Sequence, residues 1–367
     1  MHLFPLLEKA YTADTLSAKD AQAKAEFIAW GPVVFQASRL MIKFGILEML
    51  GESVQGMTRQ EICEKTHLSD YAAKCLLEAG LCIGTVLIDT MTDRYMLSKT
   101  GWFLLNTPFT RANIEFNHDV NYIGWFNLEE SMRNGNPEGL KHFGSWPTVY
   151  EALSELPEQV QKSWFGFDHF YSDASFPQAL KLVFDEYKVK TLYDVGGNTG
   201  KWALKCVEYD DQVRVTILDL SGQIGMMQKA IEGKNGCERI TGYGINLLDK
   251  NADFPKLEKG VDAIWMSQFL DCFSMDEITS ILTRAKLAMA EKTRIFIMET
   301  LWDRQKYPTA AFSLTMTSLY FTAIANGNSK MYNTEDMTEC ICKAGLEIEK
   351  IHDGLGLGHS ILVCKLK

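Results

Sequence analysis

A glycine-rich turn between an apolar stretch and a helical stretch constrains this chain more than any other feature. Residues up to Val195 predict a short strand, and residues from Lys201 onward predict a helix. Because glycine lacks a Cβ, the backbone can turn sharply here and approach a ligand. The helix N-terminus would offer that ligand unpaired N–H groups, and Asp194 could accept a hydrogen bond from an amine. The run is Leu192-Tyr193-Asp194-Val195-Gly196-Gly197-Asn198-Thr199-Gly200.

The spacing of this turn excludes two common nucleotide-binding loops. The pattern Asp-x-Gly-x-x-x-Gly is not the Gly-x-Gly-x-x-Gly of dinucleotide-binding proteins. It also lacks the Lys-Ser/Thr pair of a phosphate-binding NTPase loop. By itself the turn is also compatible with a simple tight β–α connection, so its role depends on residues further along the chain.

Composition restricts the class of protein. A net charge of −10 argues against a nucleic-acid-binding surface, which needs a basic stripe. The nine cysteines are odd in number and form no Cys-x-x-Cys pair, which argues against a zinc site and a disulfide framework. The chain starts without a signal-peptide pattern, and no uncharged apolar run is long enough to span a bilayer. We therefore predict a cytoplasmic protein with no metal site, no membrane segment and no nucleic-acid partner.

Residues 1–105 predict a winged-helix-like domain. Helical periodicity covers residues 20–50, and Thr58 with Glu61 has the spacing of a helix capping box. A second helix over 70–80 and a hairpin over 85–97 complete the pattern. One interpretation is a DNA-binding regulator with a ligand domain, but the presumed recognition helix carries a single base, Lys74. We favour a packing or dimerisation module.

Two further segments follow. Residues 106–185 are helical and rich in aromatic side chains, and we interpret them as a linker that also lines a substrate pocket. Residues 186–367 alternate between strand and helix patterns, which predicts an α/β fold with a Rossmann-like, doubly wound sheet. In such a sheet the ligand lies at the carboxyl ends of the strands.

Polar side chains end the successive predicted strands. Asp219 follows the glycine turn by about twenty residues, the interval at which an acid commonly holds a ribose diol. Asn246 ends the next strand, where an amide could contact an adenine edge. The remaining polar residues at strand ends are Ser267, Gln268, Asp271 and Glu299. Together they predict a cofactor of the adenosine type.

Four segments, taken in order, carry a resemblance to a known family: 194–200, 218–220, 244–248 and 266–274. The chain resembles the class I S-adenosylmethionine-dependent O-methyltransferases, of the caffeic-acid and hydroxyneurosporene type, over nearly its whole length. The resemblance implies S-adenosyl-L-methionine as cofactor, a homodimer formed through the N-terminal domain, and a small phenolic acceptor. It also implies the cofactor-binding residues Asp194, Gly196, Gly197, Gly200, Asp219, Leu220, Asn246, Leu247, Ser267, Gln268, Tyr171 and Ser175.

The chain departs from the family pattern at the catalytic base. The family has a histidine in a Leu-His-Asp-Trp-Ser type run, whereas this chain has Asp271 at the histidine position. The resemblance gives Glu299 the role of orienting the base, and Tyr332 stands where the family has a second glutamate. Burial beside Glu299 would raise the pKa of one of these acids toward a useful range.

This departure leaves three hypotheses open. Asp271 is a general base, or the substrate is activated in another way that includes ring-carbon methylation, or the site binds cofactor without methylating. The run Met266 to Ser274 also resembles methyltransferases of bacterial aryl-polyene pigment clusters. That resemblance implies a phenolic acceptor, free or bound to a carrier as a thioester.

Overall fold

The computed structural model describes residues 3–257 and 260–367, except for the side chains of residues 169–172. The chain forms two units. One is Asp14–Asp119, and the other joins the segment up to Ala13 with Val120–Lys367. Helix α1 (Pro5–Tyr11) belongs to the second unit.

The Asp14–Asp119 unit has the predicted order of helices followed by a hairpin. Both halves of the capping box between Thr58 and Glu61 are formed, and Gly84 ends the second helix of the pair in a left-handed conformation. The hairpin is antiparallel, and Arg94 ties it to Glu61 through an ion pair at 3.1 Å. The elements are α2 (Ala18–Ala29), α3 (Gly31–Lys43), α4 (Ile46–Glu52), α5 (Arg59–Thr66), α6 (Asp70–Ile83), β1 (Val86–Asp89), β2 (Arg94–Leu97), α7 (Lys99–Asn106) and α8 (Pro108–Phe116).

This unit extends beyond residue 105, where the sequence placed the domain boundary. Helix α7 packs against α4, and α8 packs against α7, so the chain up to Asp119 stays with the first helices. The predicted linker 106–185 is therefore divided, because its residues from Val120 onward group with the sheet-containing unit.

The second unit contains a seven-stranded sheet flanked by helices. Its remaining helices are α9 (Leu128–Asn134), α10 (Val149–Ala152), α11 (Glu158–Ser172), α12 (Phe176–Leu180), α13 (Lys201–Tyr209), α14 (Ser221–Ile231), α15 (Met275–Lys286), α16 (Pro308–Tyr320) and α17 (Thr334–Lys343). Its strands are β3 (Thr191–Val195), β4 (Arg214–Asp219), β5 (Ile240–Gly244), β6 (Val261–Ser267), β7 (Met289–Glu299), β8 (Leu346–Leu355) and β9 (His359–Leu366).

The order of the strands confirms the predicted doubly wound sheet. It runs β5-β4-β3-β6-β7-β9-β8, with β3 to β7 parallel and β9 antiparallel to both neighbours. The direction of winding reverses between β3 and β6, which is the switch point where such sheets bind ligands.

Successive side chains of β6 are buried in two separate hydrophobic cores, one on each face of the sheet. Ile264 and Met266 face the helices α15 and α17, whereas Trp265 faces the opposite layer with α12 and α13. On that second face, Trp265 stacks on Trp202 with ring centroids 4.2 Å apart. Burial of both faces explains why β6 is nearly continuously apolar. Among the described residues, no helix is long and apolar enough to cross a membrane.

Candidate active site

The glycine turn after β3 adopts backbone conformations that would be strained for residues with a Cβ atom. Gly196 has φ +71° and Gly200 has φ +78°. A Cβ on Gly196 would lie 2.3 Å from the Phe269 ring, and one on Gly197 would lie 2.6 Å from the Asp194 carboxylate. Asn198 also has a positive φ of 49°, in the middle of the turn. The turn therefore combines close packing with backbone strain, as is common at binding sites.

The carboxyl group of Asp194 is buried below this turn. Its Oδ2 atom has no hydrogen-bond partner among the described residues. Burial, and to a smaller extent the charge of Asp219, raise the pKa of Asp194 to about 8. A buried acid with an unused oxygen fits a cationic ligand group such as an ammonium.

The carboxylate of Asp219 joins the end of β4 to the glycine turn. It accepts a hydrogen bond from the Asn198 N–H at 2.9 Å and another from the Leu220 N–H at 2.8 Å. Burial raises the pKa of Asp219, and these two bonds act against that rise. The acid predicted to bind ribose is therefore already oriented by the backbone.

The residues that follow β4 and β5 form the predicted adenine side. Leu220 is exposed, and the Asn246 side-chain oxygen accepts a hydrogen bond from the Leu248 N–H at 3.0 Å. Leu247, in contrast, is buried in the core.

A buried arginine that the sequence did not single out holds this segment. Arg284, on α15, donates to the carbonyl oxygens of Leu247 at 2.5 Å and of Ala252 at 2.8 Å. Burial lowers the pKa of Arg284. In the sequence it is one basic residue on an amphipathic helix, with no local signal of its role.

The other predicted cofactor residues lie at the strand ends or beside them. Ser267 is the last residue of β6 and Gln268 follows it; both are half-buried, and Gln268 has a positive φ of 45°. The Oε1 atom of Gln268 is buried without a partner in the described part of the chain. Ser175 is fully buried just after α11. Tyr171 is one of the residues whose side chains lie outside the described structure.

Three side chains fix the segment that carries Asp271. Glu299, at the end of β7, accepts hydrogen bonds from the N–H groups of Phe269 at 3.2 Å and Leu270 at 3.0 Å. The Tyr332 hydroxyl donates to the Phe273 carbonyl at 2.6 Å. Asn326, which the sequence did not suggest, donates to the Cys272 carbonyl, also at 2.6 Å. In this structure the side chains of Glu299 and Tyr332 thus support the backbone on both sides of Asp271.

Asp271 itself is 8% exposed. The pKa of Asp271 is raised to about 7, chiefly by burial and also by the charge of Asp168, while the Cys272 thiol that donates to its Oδ1 at 3.6 Å acts in the opposite direction. The pKa of Glu299 is also raised, first by burial and then by Asp271. Two neighbouring buried carboxyls disfavour joint ionisation, so this pair can hold a proton near neutral pH.

Aromatic hydroxyls complete the surroundings of Asp271. The Tyr320 hydroxyl accepts a hydrogen bond from the Trp164 indole at 2.7 Å. The Tyr150 hydroxyl is buried, and its pKa is raised by burial and by the nearby Cys272. Trp164 and Tyr150 thus place part of the aromatic-rich segment near this site, whereas its role in lining a substrate pocket stays a prediction. Among the described residues, no group of three His, Cys, Asp or Glu is arranged to hold a metal ion.

Comparison with known proteins identifies a dimerisation domain and a methyltransferase domain in this chain. The Dimerisation2-like domain profile matches residues 22–95, and the O-methyltransferase domain profile matches residues 125–347. The L-tyrosine C(3)-methyltransferase of Streptomyces lavendulae is 25% identical over 333 residues, covering 88% of this chain and 87% of that protein.

Solved structures share the fold. The mitomycin 7-O-methyltransferase MmcR superposes with a TM-score of 0.70 at 17% identity, covering 95% of this chain and 98% of that one. Human N-acetylserotonin methyltransferase, solved in complex with S-adenosylmethionine, gives a TM-score of 0.63 at 15% identity, covering 97% and 100%.

The fold and the strand-end site together define an S-adenosylmethionine-dependent methyltransferase. Because its profile covers more than half of the chain, this protein belongs to the O-methyltransferase family. The predicted family and cofactor are thus confirmed. The residues present also fit the cofactor, since the unused oxygen of Asp194 suits its ammonium group.

The state of Asp194 leads to a first prediction about cofactor binding. With a pKa of about 8, Asp194 is mostly protonated at pH 7 in the free protein, and a neighbouring ammonium would favour its ionised form. We expect S-adenosylmethionine binding at pH 7 to release roughly 0.5 to 1 proton. Calorimetry in buffers of different ionisation enthalpy measures this number directly. The Asp194→Asn variant should release none, and equal release by both proteins would contradict the assignment.

Proposed function

We propose that this protein methylates the hydroxyl oxygen of a small phenolic compound, with Asp271 as the general base. The observation that carries the proposal is the buried position of Asp271 at the carboxyl edge of the sheet, on a segment held by Glu299, Asn326 and Tyr332. Such support fixes a reacting group in one orientation, which is the main requirement for proximity catalysis.

The pKa of Asp271 suits proton transfer from a phenol better than that of a solvated aspartate. The pKa of an ordinary aspartate is about 6 units below that of a phenol. The pKa of about 7 for Asp271 reduces this difference to about 3 units. The gain is roughly 4 kcal/mol in the free energy of proton transfer. When bound, S-adenosylmethionine supplies the methyl group: its sulfur–methyl bond breaks as the oxygen–methyl bond forms, leaving S-adenosylhomocysteine. The phenolic proton passes to Asp271.

A second candidate is methylation of a ring carbon of the phenol. The similarity to an L-tyrosine C(3)-methyltransferase over 88% of this chain favours it, together with a carboxyl in place of the usual histidine. In that reaction the ring carbon forms the new bond to the methyl group and afterwards loses its own proton to a base. That the acceptor is bound to a carrier as a thioester, for example as an aryl-polyene precursor, stays a prediction.

Product analysis separates the two reactions. The protein is incubated with S-adenosylmethionine labelled with ¹³C in its methyl group and with a panel of phenols, free and as thioesters. O-methylation should yield an aryl methyl ether in the ¹³C NMR spectrum, whereas a methyl carbon bonded to the ring would replace the O-methylation proposal. Absence of any labelled product across the panel would count against both.

The exposed surface of α2 supports a homodimer. Within the described structure, α2 buries none of its residues, yet it carries Phe27 at 51% exposure and Ile28 at 68%. Trp30 and Val33, at the start of α3, are 61% and 56% exposed. A continuous apolar surface of this kind is typical of an interface, and it lies within the match to the Dimerisation2-like domain.

We predict that replacing Ile28 and Trp30 by aspartate converts the dimer to a monomer. Each substitution would place a charge in a desolvated interface, which costs several kcal/mol. Sedimentation equilibrium at micromolar concentration measures the mass. The control is Val54→Asp, since Val54 is 99% exposed in the same unit and outside this surface. A double variant that stays dimeric would rule out α2 as the interface.

A further inference from the structure

Tyr150 buries its hydroxyl group without satisfying it. The residue lies on α10, and its oxygen has no hydrogen-bond partner among the described residues. The neighbouring Cys272 thiol is only a weak acceptor for this hydroxyl, and it donates its own proton to Asp271. An unsatisfied buried hydroxyl costs about 1–3 kcal/mol and therefore needs an explanation.

Other buried tyrosines of this unit differ from Tyr150. Tyr193 donates its hydroxyl proton to the Pro255 carbonyl at 2.9 Å, and Tyr332 donates to Phe273. The Tyr320 hydroxyl accepts from the Trp164 indole. The protein thus satisfies these hydroxyls with its own atoms, and Tyr150 is the exception beside Asp271.

The charges around Asp271 indicate what Tyr150 could bind. Asp168 and Glu299 are carboxyl groups, so removing a proton from an acceptor here would create an anion in an acidic environment. A developing phenolate is stabilised by hydrogen-bond donors aimed at its oxygen. The Tyr150 hydroxyl, whose neighbour in the protein is the weakly accepting thiol of Cys272, is such a donor.

We propose that Tyr150 binds the acceptor by donating its hydroxyl proton to the oxygen that Asp271 deprotonates. This inference rests on the proposed phenolic acceptor. Tyr150 then provides selectivity for a ring that carries an oxygen over the same ring without one. The hydroxyl is left unsatisfied in the free protein because its partner belongs to the substrate.

The test compares two probes that differ in one hydroxyl group. Binding of 4-fluorophenol and of fluorobenzene to the protein loaded with S-adenosylhomocysteine is followed by ¹⁹F NMR. We expect the wild-type protein to prefer 4-fluorophenol, and the Tyr150→Phe variant to lose about 10- to 100-fold of that preference. The control Tyr209→Phe removes a hydroxyl that is bonded to Asp185 on the surface, and it should keep the preference.

Thermal unfolding checks that the hydroxyl has no structural partner. Tyr150→Phe should melt at the wild-type temperature or above it, whereas Tyr193→Phe, which loses a hydrogen bond, should melt below it. A lowered melting temperature for Tyr150→Phe, an unchanged phenol preference in it, or no preference in the wild-type protein would each overturn the inference.

Turnover separates this inference from the proposed function. If the preference for 4-fluorophenol depends on Tyr150 but no phenol is methylated, the proposed reaction is refuted and the binding role of Tyr150 stands. Methyl transfer with the same preference in both proteins would refute the role of Tyr150 alone.

Discussion

Replacing Asp271 by asparagine is expected to lower kcat by about 10²- to 10⁴-fold, the usual contribution of a general base. Asparagine keeps the shape of the side chain and an oxygen that can accept from the Cys272 thiol, so the segment should hold its conformation. The affinity for S-adenosylmethionine should therefore not change. Single-turnover kinetics with labelled cofactor measure the loss in the rate of methyl transfer, and calorimetry measures the affinity for S-adenosylmethionine.

The pH dependence gives this prediction a second readout. A general base works only when ionised, and the pKa of Asp271 is about 7. The kcat/KM of the wild-type protein should therefore rise with pH up to about 7 and fall about tenfold per unit below it. The residual activity of Asp271→Asn should lack this rise. The control is Asp276→Asn, because Asp276 is an exposed acid in the first turn of α15. Full activity in Asp271→Asn would remove this residue as the base.

Replacing Asp219 by alanine should weaken cofactor binding by about 10²- to 10⁴-fold. The carboxylate accepts from two backbone N–H groups, and the proposed ribose contact adds further charge-assisted hydrogen bonds of about 1.5–3 kcal/mol each. The variant would lose the ribose contact and also the bond that orients the turn at Asn198. Calorimetry with S-adenosylmethionine and with S-adenosylhomocysteine measures the loss, which should be similar for both because they share the ribose.

Two comparison variants sharpen the interpretation of Asp219. Asp219→Asn keeps one acceptor oxygen and should lose only about tenfold in affinity. Asp211→Ala removes an exposed acid just before β4 and should have no effect. If Asp219→Ala binds both molecules with wild-type affinity, the ribose assignment is wrong.

Features that depend on local sequence were predicted well. The strands β3 and β4, the glycine turn and the capping box at Thr58 all follow from short patterns of apolar, glycine and capping residues. The doubly wound class of the sheet also followed, because alternating strands and helices permit few arrangements. The boundary between the two units at Asp119 did not follow from the sequence, since it depends on how α7 and α8 pack.

Contacts between residues far apart in the chain could not be predicted. Arg284 holds Leu247 from 37 positions away, and Asn326 holds Cys272 from 54 positions away. The hydrogen bond from Tyr332 to Phe273 belongs to the same class. A sequence pattern identifies the type of a residue, but a long-range partner depends on the packed structure.

Helix α15 connects two parts of the candidate site that are predicted to contact different ends of the cofactor. It begins at the capping box of Ser274, directly after the segment that carries Asp271, and Arg284 near its other end holds the backbone on the adenine side. At about 1.5 Å per residue, the separation of ten positions from Ser274 to Arg284 spans about 15 Å. We infer that the helix acts as a rigid spacer between the segment of the proposed base and the loop predicted to contact adenine. An insertion or deletion within α15 is therefore expected to disturb cofactor affinity and turnover together.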